Sequence, residues 1–106
     1  MQKNLYGMRL KEARKRTSLS QTHLGILAGF DEFSASARMS QYETGKHLPD
    51  LGTAIRLAEV LDVPLAYFFC PDDGLADLIQ LYHHLENDQQ QAALNLFRSM
   101  TKKPST

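Results

Sequence analysis

Ser20–Lys46, SQTHLGILAGFDEFSASARMSQYETGK, is the stretch on which the reading of this chain turns. Ser20 stands where a side-chain oxygen caps the free N–H groups at a helix start. Leu24, Leu27 and Ala28 follow at helical spacing, and Gly29 is a usual residue just past a helix end. A second helix is expected from about Ser34–Ala35 to Thr44, stopped by Gly45. Ala35, Met39 and Tyr42, spaced four and three apart, form its buried face. Two short helices joined by a connection, the second with small outward residues, are the pattern of a helix-turn-helix unit.

The flanking segments read as further helices. In residues 5–16, LYGMRLKEARKR, Tyr6, Leu10 and Ala13 share one face. The cluster Arg14–Arg16 closes that helix, as a solvated end or as a phosphate contact. Gly45-Lys-His-Leu-Pro-Asp is a turn, and Asp50 is placed to cap residues 51–61. The apolar stripe there reads Leu51, Ala54, Ile55, Ala58 and Leu61. Pro64 opens a short fifth helix, LAYFF, whose aromatics plug the core. After the loop Cys70-Pro-Asp-Asp-Gly come two more helices. Leu75, Leu78, Ile79, Tyr82 and Leu85 mark one, and Ala93, Leu96, Phe97 and Met100 the other. Asn87 or Asp88 is expected to cap the last, with Gln90 or Gln91 three residues on. The pair reads as a hairpin with one apolar side. Residues 102–106, KKPST, are expected to fray.

Charge is divided along the chain. The formal net charge is zero, yet residues 1–50 hold eight Lys/Arg against five Asp/Glu, and residues 51–106 hold four against seven. A basic front and an acidic rear make a dipolar molecule that a whole-chain pI hides. The single cysteine, Cys70, has no internal partner for a disulfide, and a reducing cytoplasm is its simplest home. No apolar run reaches membrane-spanning length, so no membrane association is expected, and the first residues lack a signal-peptide core.

Four sets of residues carry a resemblance. Gly7-x-x-Leu10-Lys11-x-Ala13-Arg14, Leu19-Ser20-Gln21-x-x-Leu24, Met39-Ser-Gln-Tyr42-Glu43-Thr-Gly45-Lys46 and Pro49 occur in order. Over about residues 5–70 the chain resembles the lambda-repressor-like family, the Cro/Xre type of helix-turn-helix regulator. The resemblance implies an all-α fold with a five-helix DNA-binding domain over residues 1–70. Residues 71–106 are then a helical hairpin for dimerisation or scaffolding. It further implies a cytoplasmic homodimer on a palindromic operator of double-stranded DNA, without a cofactor. Two features depart from the family. Gly25 stands where Ala is usual, and Phe30–Gln41 is longer than the usual interval, so the turn between the second and third helices is enlarged.

A helix turns about 100° per residue. With Ala35, Met39 and Tyr42 inward, Ala37 and Gln41 point nearly opposite, Ser40 lies beside them, and Ser36 and Arg38 flank. Gln41 suits adenine N6/N7, Ala37 a thymine methyl, and Arg38 a guanine edge or a phosphate. The plainer alternative is the polar surface of an ordinary helix; the resemblance favours the groove. Ser20 and Gln21, at the start of the second helix, match phosphate-contacting positions. Lys46 and His47, past the third helix, suit the adjoining backbone. Arg14 and Glu43 match positions that form an ion pair in relatives.

Catalysis finds little support. His83 and His84 are adjacent, so on a helix they point to different sides and make a poor metal pair; no metal is expected. Acidic neighbours of Cys70 disfavour a reactive thiolate. The rival to a DNA-binding regulator is a protein-interaction module, an antitoxin or adaptor with a protein partner. Zero net charge, the acidic rear, the enlarged turn and the spare hairpin favour that rival.

Overall fold

Helices in this chain begin and end where the sequence satisfies their terminal backbone groups. The computed structural model describes residues 4–101. Its elements are α1 (Leu5–Arg16), α2 (Gln21–Leu27), α3 (Ala35–Thr44), α4 (Leu51–Leu61), a 3-10 helix (Leu65–Phe69), α5 (Asp73–His83) and α6 (Asn87–Met100). Every regular element among the described residues is helical, six of them α-helices. Residues 102–106, expected to fray, lie outside the described residues.

The caps explain the boundaries. Ser20 Oγ accepts the His23 N–H at 3.0 Å, and Asp50 Oδ1 accepts the Thr53 N–H at 2.7 Å. Gly45, at φ 82°, ends α3 in the left-handed region. Two starts differ from expectation. Asp72, not Leu75, fixes the beginning of α5, its carboxylate accepting the Gly74 N–H at 3.2 Å. Glu86 caps α6 in a capping box with Gln89, displacing Asn87 and Asp88.

The Thr53 N–H holds the Asp50 carboxyl below the usual carboxylate range. A lowered folded pKa gives stability that is present above the unfolded value and is lost as pH falls through the folded one. Asp50→Asn should therefore lower the urea midpoint at neutral pH and converge with wild type in acid. A difference that persists unchanged into acid would mean that the charge is irrelevant there.

The core gathers Leu10, Leu24, Met39, Leu57, Tyr67 and Phe68, all without appreciable solvent contact. Tyr6 stacks on Phe68 at 4.8 Å between ring centres, closing α1 onto the 3-10 helix. The apolar stripe of α4 is rotated from the expected one. Thr53, Ala54, Leu57, Ala58 and Leu61 are buried, whereas Leu51 and Ile55 face solvent. Leu27 and Phe69 are likewise exposed. A short helix on the surface of a small domain covers one arc only, and packing decides which arc.

The α5–α6 pair buries less than expected of a hairpin. Ala76 is its one buried residue in α5, and α6 has none among the described residues. The two helices open around an apolar groove of about 530 Å³ lined by Leu75, Leu78, Tyr82, Leu94 and Phe97. Arg9 clamps the joint between this pair and the front of the chain. Buried on α1, it donates to Cys70 O at 2.9 Å, to Glu12 at 3.1 Å and to Asp73 at 3.0 Å.

Candidate nucleic-acid interface

The third helix is held from behind by a polar cluster centred on Glu43. This carboxylate, 3% exposed, accepts two bonds from Arg14, at 2.6 and 3.1 Å, and one from Gln21 Nε2 at 3.1 Å. Arg14 also donates to Leu19 O at 3.0 Å. Asn4 Nδ2 donates to the Glu43 backbone carbonyl at 2.9 Å. One buried anion thus joins α1, α2, α3 and the α1–α2 turn. Its bond to Arg14 holds the guanidinium pKa above its ordinary value.

Close packing completes the support. A Cβ on Gly7 would lie 2.5 Å from Glu43 O and 2.7 Å from Tyr42 O, so the last turn of α3 rests directly on the α1 backbone. The two departures from the family fit each other. Phe30, which begins the enlarged turn, folds back and is buried, and its N–H bonds Gly25 O at 2.8 Å. A Cβ on Gly25 would lie 3.0 Å from the Phe30 ring and 2.8 Å from Ala35 Cβ. Glycine at 25 makes room for the ring that anchors the longer turn. The turn itself is tied by Asp31, which accepts the Phe33 N–H at 3.0 Å, and it leaves Phe33 90% exposed. Asp31 and Glu32 face solvent.

On the outer side of α3, Ser36 and Ala37 are exposed, while Ser40 and Gln41 are half-buried. Arg38 stands differently from the expectation of a base-reading side chain. Its guanidinium lies 3.8 Å from the centre of the Phe30 ring and donates to Tyr42 Oη at 3.1 Å. The cation is turned back onto the aromatic pair Phe30–Tyr42 and props the enlarged turn. Gln21, expected at a phosphate, spends its amide on Glu43. Ser20 has its oxygen in the cap but keeps an exposed hydroxyl. Lys46 and His47 are exposed beyond Gly45, and the His47 N–H bonds Gln41 O at 3.2 Å.

This arrangement is a helix-turn-helix: a buried ionic bracket behind, a helix of small polar residues in front, and basic residues at its end. A helix-turn-helix domain profile matches residues 5–66. The chain belongs to the Cro/Xre-type helix-turn-helix transcriptional regulators. The crystal structure of the transcriptional regulator BswR is similar along nearly its whole length. The TM-score is 0.85 at 47% sequence identity, with 89% of this chain and 93% of that chain covered. Comparison with curated proteins found no match. Regulators of this type are DNA-binding proteins without catalytic activity. No helix among the described residues is long and apolar enough to cross a membrane.

Sequence reasoning missed Arg9, Asn4 and Phe30. Arg9 sits on the same face as Tyr6 and Ala13, and an arginine there reads as a solvent-facing residue. Its burial depends on acceptors more than sixty residues away, which no local pattern reveals.

Proposed function

We propose that the protein is a sequence-specific regulator that binds a palindromic operator as a homodimer, with α3 in the major groove. The observation that carries the reading is the outer face of α3. Ser36, Ala37, Ser40 and Gln41 present no bulky side chain, while Glu43, Arg14 and Gly7 fix the helix rigidly from behind. Gln41 and the serines offer hydrogen bonds to base edges, and Ala37 offers a methyl contact. Ser20, Lys46 and His47 hold the flanking phosphates, with Gln21 joining them when its amide leaves Glu43. Arg38 acts first as the prop of the turn and reaches the DNA only by leaving Phe30. The open groove between α5 and α6 supports dimerisation, because a second copy would cover the apolar side chains that this chain leaves in water. The residues act in the cytoplasm and need no cofactor.

The test is selection of sites from a random duplex pool at two salt concentrations. A two-fold symmetric motif with half-sites about one helical turn apart is expected, with affinity falling steeply as salt rises. Gln41→Ala should relax preference at one base pair of each half-site, by about 1–3 kcal/mol of discrimination. Arg38→Ala is a poorer probe, since it also removes the stack on Phe30. Folded protein that enriches no motif would instead favour the adaptor or antitoxin reading, with a protein partner in the groove.

A further inference from the structure

His83 and His84 lie at a helix end rather than within a helix. α5 stops at His83, and His84 is its C-terminal cap, with its N–H still bonded to Gln80 O at 3.3 Å. The backbone of His84 is still right-handed helical, so the two imidazoles meet by side-chain orientation toward one shared partner. Both turn their Nε2 atoms to one carboxylate, His83 to Asp62 Oδ1 at 3.0 Å and His84 to Asp62 Oδ2 at 3.1 Å. The rings stand 5.0 Å apart between centres. Asp62 is itself unusual. It ends α4 at φ 55°, in the left-handed region, which aims its side chain across to the end of α5.

We propose that Asp62, His83 and His84 form a binding site for one divalent transition-metal ion of the zinc class. Among the described residues, one donor atom from each of the three lies within 4.8 Å of the other two. Metal–nitrogen and metal–oxygen bonds of about 2.0–2.2 Å place tetrahedral ligands roughly 3.3 Å apart, so small side-chain rotations suffice to admit an ion. Two imidazoles with one carboxylate select zinc, nickel, cobalt or copper over magnesium and calcium, which prefer all-oxygen sites. Three protein ligands leave a position open. That position is left for a water; Asp62 and His83 also line a groove of about 370 Å³.

The site joins the end of α4, in the helix-turn-helix part, to the end of α5, which borders the apolar groove; His83 lines that groove as well. An ion there fixes the angle at which the C-terminal helices leave the DNA-binding part.

Full-length protein stripped with a chelator and titrated with zinc chloride in a calorimeter tests this. One zinc per chain is expected, with a melting temperature raised by about 6 °C or more at tenfold excess over Kd. Nickel should act similarly and magnesium should not. Asp62→Asn, whose side chain tolerates the left-handed backbone, and His84→Gln, at a half-exposed position, should each weaken binding by about tenfold or more. His23→Gln should leave it unchanged. On saturation, imidazole NMR resonances of His83 and His84 should move together. The proposal is overturned by no binding, by equal binding in both site variants, or by loss of binding in His23→Gln. One zinc per two chains would also overturn it, since the ligands would then come from two molecules.

Discussion

Glu43→Ala should remove about 3–5 kcal/mol of stability, a large share of the roughly 5–15 kcal/mol that holds a domain folded. The loss comes from what remains. Arg14 keeps its charge in a site where it is only 13% exposed, with Leu19 O as its one remaining acceptor among the described residues. Gln21 and the last turn of α3 lose their common anchor at the same time. Thermal melting should move down by roughly 15 °C or more, and operator affinity should fall even below the melting point, because α3 loses its bracket. Replacing Arg14 and Glu43 together with apolar residues should recover much of the stability and little of the DNA affinity. A loss under about 1 kcal/mol for Glu43→Ala would show that water reaches Arg14, and the bracket would then contribute little.

Gly7→Ala sets two effects against each other. Alanine is the better helix former by about 1 kcal/mol, and α1 is a regular helix, so propensity alone predicts stabilisation. The tertiary contact predicts the reverse. The added Cβ meets Glu43 O, Tyr42 O and Asn4 Oδ1, and the first two belong to the backbone of α3. Asn4 can rotate away; the carbonyls move only if the end of α3 moves. A net destabilisation of about 1–3 kcal/mol is expected, with weaker DNA binding at temperatures where the variant remains folded. Chemical denaturation and a binding assay on one preparation measure both. A more stable Gly7→Ala would mean that Glu43 O stands farther than 2.5 Å from the position of the added Cβ, so that α3 leaves room for it.

Most helix boundaries were legible because capping is local. Ser20, Gly45 and Asp50 lie within three residues of the groups that they satisfy. Glu86 was harder, since Asn87 and Asp88 compete with it by residue type and only backbone geometry separates them. The buried arc of α3 could be read from Ala35, Met39 and Tyr42, whose spacing is unambiguous. The arc of α4 could not, because Leu51, Ile55 and Leu57 are equally apolar and the direction of packing chooses among them.

The sequence by itself determined an all-helical chain, the helix-turn-helix segment, the capped helix starts at Ser20 and Asp50, and the small polar face from Ser36 to Gln41. These depend on periodicity and on chemistry within one or two turns. Tertiary structure alone decided that Arg38 stacks on Phe30, that Arg9 is buried against Cys70 and Asp73, that Gly25 accommodates the longer turn, and that His83 and His84 converge on Asp62. The physical reason is the same in each case. A long or charged side chain goes where its partner stands, and the partner's place is set by the packing of helices distant in the chain.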